Sequence, residues 1–279
     1  MDNIILINIL ILGSIAFFAA ILLYYAAQKF YVEENPKIEE IENCLPGANC
    51  GACGRAGCHD FATYCAGVDE AGFAKVYCPV GGAAAMGKIA EVLGFEVTEK
   101  EPCIAVLKCN GTCENAPAKV EYDGIKICRI ADKICSGVSG CPDGCLRLGD
   151  CIKVCKFGAL SLDTITGLPV VDDDKCTSCG ACVNICPRHL FEIRPKGQNG
   201  KRVYVACNNK QKGAIARKNC KVACIACGKC SKIVPSITIE NNLSYISTDI
   251  SAQEHGEELA KSCPTGAIVY TSSENNNAK

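Results

Sequence analysis

In CTSCGACVNIC, residues 176–186, only two or three residues separate each cysteine from the next, and the chain carries 25 cysteines in 279 residues. Spacing this tight restricts the fold more than any other feature. A disulfide framework tolerates almost any spacing, but near neighbours seldom reach disulfide geometry. A polynuclear metal cluster takes several thiolates from one short loop. Metal ligation also supplies folding free energy that a small core cannot. That matters here, because only 6% of residues are aromatic and none is tryptophan. Compact modules organised by clusters fit better than one large aromatic core.

The run 176–186 has the bacterial ferredoxin spacing Cys-x2-Cys-x2-Cys-x3-Cys-Pro, with Cys176, Cys179, Cys182 and Cys186 as ligands. In two-cluster ferredoxins the first three cysteines of a run hold one [4Fe–4S] cluster and the fourth reaches the other. Upstream lies the partner run, CPDGCLRLGDCIKVC (141–155). Cys145, Cys151 and Cys155 take the first, third and fourth places, and Leu148 takes the second. Cys141 is the expected substitute. The expected sets are Cys141, Cys145, Cys151 and Cys186 for one cluster, and Cys155, Cys176, Cys179 and Cys182 for the other. Between the runs, residues 159–172 read as two short strands around a Thr-Gly turn.

Two further clusters follow from the same logic. In NCGACGRAGC…CPVGG, Cys50, Cys53, Cys58 and Cys78 form one quartet; Cys65 reads as a packed thiol. Zinc is the rival for any four cysteines, but it usually joins two separated Cys-x2-Cys units. Near the C-terminus, CIACGKC supplies Cys224, Cys227 and Cys230, and Cys263 before Pro264 closes the set. Val234 stands where a fourth cysteine would serve a second cluster. The segment before Cys263, STDISAQEHGEELAKS, lacks the other three. One cluster has lost all its ligands together, so the last unit reads as a live one-cluster domain. A second hairpin is expected in SITIENNLSYIS (236–247).

The two ferredoxin regions read as a repeat: Cys141-x3-Cys145 matches Cys220-x3-Cys224, and VLKC ending at Cys109 matches YVAC ending at Cys207. Sixteen cysteines are thereby assigned and nine remain. Cys109, Cys113, Cys128 and Cys135, or Cys141 in place of the last, are candidates for a fifth cluster; buried thiols are the alternative.

Residues 4–27 are apolar enough to form a membrane-spanning helix, about 36 Å long at 1.5 Å per residue. The acidic start and the length argue for a retained anchor over a cleaved signal. Lys29 and Lys37 follow the helix and none precedes it, which places the bulk of the chain in the cytoplasm. So does the reducing environment that clusters require. Net charge is −1, which gives no reason to expect nucleic acid. Residues 196–221 nevertheless hold eight Lys or Arg and no acid. The segment reads as a solvated loop or as a dock for an acidic protein, with Lys210, Lys212, Arg217 and Lys218 as its charges. His59, His189 and His255 are isolated. No nucleotide loop or nucleophile–base set is present. PTGAI (264–268) has Ile268 where a flavin-bearing threonine would stand, so no flavin is expected on this chain.

The order of an anchor, the Cys50–Cys78 block and tandem ferredoxin units resembles the B subunit of the Rnf complex, the ion-translocating ferredoxin:NAD oxidoreductase of bacteria and some archaea. NCGACGRAGC…CPVGG, CNGTC, CPDGCLRLGDCIKVC and CKVACIACGKC carry the likeness over nearly the whole chain. It implies an electron relay in the bacterial inner (cytoplasmic) membrane with its domains facing the cytoplasm. Reduced soluble ferredoxin would be the donor. The other Rnf subunits would pass electrons toward flavins and NAD, coupled to Na+ or H+ translocation. The alternative is a membrane-tethered polyferredoxin of a formate dehydrogenase or hydrogenase. A zinc or redox-sensing protein is a further rival, disfavoured by the 176–186 run.

The expected architecture is α+β. It comprises a transmembrane anchor (1–31), a linker (32–43), an N-terminal 4Fe–4S domain (44–98) and a connecting segment (99–140). A two-cluster ferredoxin-like domain of βαβ type (141–195), a basic connecting segment (196–219) and a one-cluster ferredoxin-like domain (220–279) complete it.

Overall fold

The computed structural model describes residues 2–29, 35–96, 101–135 and 137–272. Helix α1 (Asp2–Lys29) has 28 residues, and its Leu10–Lys29 part is long and apolar enough to cross a membrane. Phe17, Phe18 and Leu22 are among the apolar side chains it leaves uncovered.

A small helical domain follows. Pro36 opens helix α2 (Pro36–Cys44), where its missing N–H costs nothing, and the Asn35 side chain accepts from the Lys37 N–H. The expected linker is thus largely helix, with Ile41 fully buried. It packs on α3 (Cys58–Gly67) and α5 (Gly82–Leu93), with the short α4 (Glu70–Phe73) between them in sequence. Ile41, Phe61 and Ile89 form the centre of this core, each contributing about 1.5–3 kcal/mol through burial. Gly94 ends α5 in the left-handed region at φ 76°, and its N–H returns to the Ala90 carbonyl.

Two ferredoxin-like units make up the rest. The first begins with β1 (Cys103–Leu107), which lies in the segment expected to be a connector. After α6 (Cys128–Cys135), α7 (Asp150–Lys153), the hairpin β2 (Leu160–Leu162) and β3 (Pro169–Val171), and α8 (Ala181–Ile185), β4 (Phe191–Pro195) returns antiparallel to β1, with Leu107 opposite Phe191. The second unit repeats this plan. Its β5 (Arg202–Val205), again from an expected connector, pairs antiparallel with β8 (Ile268–Thr271). Between them come α9 (Gly213–Asn219), α10 (Lys229–Ile233), the hairpin β6 (Thr238–Glu240) and β7 (Leu243–Tyr245), and α11 (Ala252–Ser262). The architecture is α+β, as expected. Within each unit the strand pairs are antiparallel, where a βαβ unit would have them parallel, because the last strand comes back directly against the first. Both hairpins fall in the stretches expected from the sequence.

Helix α11 explains the cysteine-free segment before Cys263. Ser251 caps it by accepting from the Glu254 N–H at 3.4 Å, the arrangement an S-x-x-E sequence favours. Lys261 reaches Glu257 one turn back at 2.6 Å, and the buried Leu259 packs in the second unit's core. The segment before Cys263 is a helix and carries no cysteine loop.

The units are joined by buried cations. Arg194 of β4, 4% exposed, donates to the Ile246 carbonyl at 2.7 Å and the Val203 carbonyl at 3.3 Å. Arg202 of β5 donates to Asp173 at 2.7 Å.

Candidate iron–sulfur centres

Four pockets of similar size, with volumes of about 310, 450, 350 and 330 Å³, are each walled by four cysteines and mostly apolar neighbours. Site I has Cys50, Cys53, Cys58 and Cys78. Site II has Cys128, Cys145, Cys151 and Cys186. Site III has Cys155, Cys176, Cys179 and Cys182. Site IV has Cys224, Cys227, Cys230 and Cys263. Among the described residues, no three Cys, His, Asp or Glu side chains converge closely enough to hold a single metal ion.

Sites II, III and IV share one loop shape. Arg147 and Gly149 have φ 61° and 79°, Ser178 and Gly180 have 52° and 75°, and Ala226 and Gly228 have 51° and 73°. Each pair stands two and four residues after the first cysteine of its run. A left-handed non-glycine residue costs about 1–2 kcal/mol. Its recurrence at equivalent positions shows that one backbone path is imposed three times. That path lets the run wrap its occupant.

The lining of site II departs from the expected set. Cys141 does not line it; Cys128, the first residue of α6, does. The loop follows the ferredoxin path, but Leu148 stands where the second cysteine would be. Burial raises the Cys128 thiol, and the backbone N–H groups of Asp150 and Leu148 partly offset it. The Cys128 N–H donates to Asp150 Oδ2 at 2.9 Å. Cys141 sits instead beside Asn209, whose Nδ2 donates to its sulfur at 3.3 Å.

The pockets are mostly apolar and hydrogen-bonded at sulfur. Gly81 N–H meets Cys78 Sγ at 3.3 Å, Ala105 N–H meets Cys176 at 3.4 Å, Ala159 N–H meets Cys155 at 3.3 Å and Leu190 N–H meets Cys186 at 3.5 Å. Gly81 must stay glycine, since a Cβ there would lie 2.5 Å from the Ala85 Cβ and 3.3 Å from Cys78 Sγ. Burial pushes the thiols of Cys145, Cys151 and Cys182 up to about 12. Thiols in such surroundings give up a proton only when a metal replaces it. Burial also raises Cys263, but N–H groups of Thr265, Ile268 and Ala267 and the Thr265 hydroxyl outweigh it and leave that thiol below its ordinary value. The CPTGAI turn is therefore already shaped for a thiolate.

The remaining candidates disperse. Cys113 is exposed, and its N–H donates to the Thr166 carbonyl of the β2–β3 turn. The Cys135 side chain lies outside the described residues. Cys65 is fully buried in the helical core and its thiol is raised to about 12 by burial, as a packed thiol should be. His59 pairs with Glu42 at 2.8 Å, and neither it, His189 nor His255 lines a quartet pocket. In the basic segment, Lys196, Arg202 and Lys221 pair with Asp174, Asp173 and Glu114. Lys210, Lys212, Arg217 and Lys218 are exposed.

Cysteine quartets on ferredoxin-like loops, each lining one apolar pocket, define an iron–sulfur electron-transfer protein. Two family profiles agree: a 4Fe-4S binding domain matches residues 169–190, and an Fe-S cluster segment matches residues 45–66. The B subunit of the Na(+)-translocating ferredoxin:NAD(+) oxidoreductase complex of Acetobacterium woodii is 41% identical over 97% of this chain and 80% of its own length. The B subunit of the proton-translocating ferredoxin:NAD(+) oxidoreductase complex of Clostridium ljungdahlii is 37% identical over 95% and 92%. The B subunit of the ion-translocating oxidoreductase complex of Methanosarcina acetivorans is 36% identical over 85% and 87%. The chain belongs to this family, the B subunits of Rnf complexes, and is an iron–sulfur electron-transfer subunit of an ion-translocating ferredoxin:NAD oxidoreductase.

Proposed function

We propose that this chain holds [4Fe–4S] clusters at sites I to IV, accepts electrons from reduced soluble ferredoxin and delivers them to the membrane subunits of its complex. Four like-sized pockets, each walled by four cysteines, carry this reading. Bound clusters supply one-electron chemistry. The polypeptide supplies what surrounds it: thiolates at fixed positions, N–H groups at sulfur and apolar walls that exclude water, which together set the reduction potentials.

Lys210, Lys212, Arg217 and Lys218 form the proposed dock for an acidic ferredoxin. Their exposure supports this, while Arg202 is held in a buried pair with Asp173. Helix α1 is the proposed anchor in the lipid of the bacterial inner membrane, with the cysteine-rich units on the cytoplasmic side, the reducing compartment.

The test uses the full chain, purified in detergent without oxygen. Mixed with reduced ferredoxin, it should bleach in the visible as the ferredoxin is reoxidised. A chain rich in iron and sulfide that leaves ferredoxin reduced would refute the donor assignment.

A further inference from the structure

Four cysteines outside sites I to IV meet where the two units join. Cys109 follows β1 by two residues and Cys207 follows β5 by two residues. Cys141 and Cys220 each stand four residues before the first ligand of their run, in matching turns: the Gly144 N–H donates to the Cys141 carbonyl at 3.3 Å, and the Ala223 N–H to the Cys220 carbonyl at 3.2 Å. Each unit therefore brings the same two cysteines.

The fold puts the pairs face to face. The Asn110 N–H donates to the Ala206 carbonyl at 3.0 Å, and the Lys221 N–H to the Asn115 carbonyl at 2.8 Å. Asn209, two residues past Cys207, donates to Cys141 Sγ at 3.3 Å, and Arg188, which donates to the Cys141 carbonyl, accepts from the Asn208 side chain at its own carbonyl. Gly111 leaves a gap between two of them, since a Cβ there would lie 3.5 Å from Cys109 Sγ and 3.6 Å from Cys220 Sγ. Cys141, Cys207 and Cys220 are at most 9% exposed. Arg147 fixes the Cys109 loop by donating to the Gly111, Thr112 and Ala116 carbonyls at 2.8 to 3.0 Å. Donors are aimed at the sulfurs: Asn209 Nδ2 at Cys141 and the Cys224 N–H at Cys207, both at 3.3 Å.

We propose that Cys109, Cys141, Cys207 and Cys220 ligate a fifth [4Fe–4S] cluster at the seam between the two ferredoxin-like units. This rests on the reading of the chain as a cluster carrier. The location gives the site its use. Arg147, two residues past Cys145 of site II, donates to the Gly111 carbonyl two residues past Cys109, and Cys207 accepts from the backbone N–H of Cys224 of site IV. The site bridges the units, and the lost cluster beyond Val234 leaves no break in the chain of centres. It differs from the quartet expected at Cys109, Cys113, Cys128 and Cys135, because Cys128 is taken by site II.

The test is iron, sulfide and zinc per full chain, purified anaerobically and reconstituted. The proposal expects about twenty iron and twenty sulfide per chain, falling to about sixteen in Cys109→Ala/Cys220→Ala. About sixteen in both proteins would overturn it, as would about sixteen iron with one zinc. Little iron or sulfide in the wild type would instead refute the carrier reading itself. Asn209→Ala gives a second measurement that does not remove a ligand. Iron should be unchanged, and one component of an EPR-monitored redox titration should move to lower potential through the loss of a donor at Cys141. A titration identical to the wild type would overturn Cys141 as a ligand.

Discussion

The Cys128 backbone N–H donates to Asp150 Oδ2 at 2.9 Å, which pins the start of α6 to the loop whose own second cysteine position is Leu148. A cysteine from well upstream in sequence thereby lines the same pocket as Cys145 and Cys151, whose loop keeps its ferredoxin path.

That exchange can be reversed. Cys128→Ala should lower the iron content by about four per chain. Adding Leu148→Cys to that variant should restore it, because the residue re-enters a loop already bent for a cysteine there. Iron analysis of the single and double variants decides it. Failure of the rescue, with the rest of the chain loaded, would mean that the loop does not point residue 148 at site II.

Val234→Cys should leave iron unchanged. Val234 is 8% exposed in the core of the second unit, and the segment that would supply its co-ligands is the helix α11. A swap of near-equal volume should cost less than about 1.5 kcal/mol. A gain of iron on reconstitution would show that a cluster site survives there.

Gly256→Ala should destabilise the second unit. A Cβ at this buried position of α11 would lie 2.4 Å from the Tyr270 ring of β8, and such overpacking costs about 1–3 kcal/mol. Loss of cluster absorbance should begin at lower temperature than in the wild type. An unchanged midpoint would show that α11 can shift away from β8 freely.

Charge reversal at Lys210, Lys212, Arg217 and Lys218 should raise the apparent KM for ferredoxin and flatten its salt dependence. Exposed charges act mainly on encounter rates, within a Debye length of about 10 Å at 0.1 M salt. Rates of ferredoxin oxidation across a salt series provide the check. Kinetics at low salt that match the wild type would remove the dock from this segment.

Much of the molecule was legible in the sequence because cluster ligation is local. Cys50, Cys53 and Cys58 share one short run, as do Cys176, Cys179 and Cys182, and Cys224, Cys227 and Cys230, so spacing alone marked each trio as a candidate, and each trio lines one pocket. The two hairpins were legible from alternation around turn residues, and α1 from an unbroken apolar stretch. The starts of the two ferredoxin-like units were not legible. Strands β1 and β5 are short and sit in segments with no periodic signal, and each depends on a partner far along the chain: Leu107 on Phe191, Arg202 on Thr271.

Sequence by itself determined the chemistry: cysteine runs at this spacing suit iron–sulfur clusters, and the glycines among them allow the loops to wrap. Tertiary structure alone decided which distant thiol completes a quartet. Spacing favoured Cys141 for the second set and offered Cys128 only to a fifth, and both are buried or half-buried. The anchoring of α6 to Asp150 brings one to site II, while the turn at Gly144 carries the other to the seam. Ligation depends on where sulfurs meet in space, and between separate elements that is fixed by packing, which no spacing rule encodes.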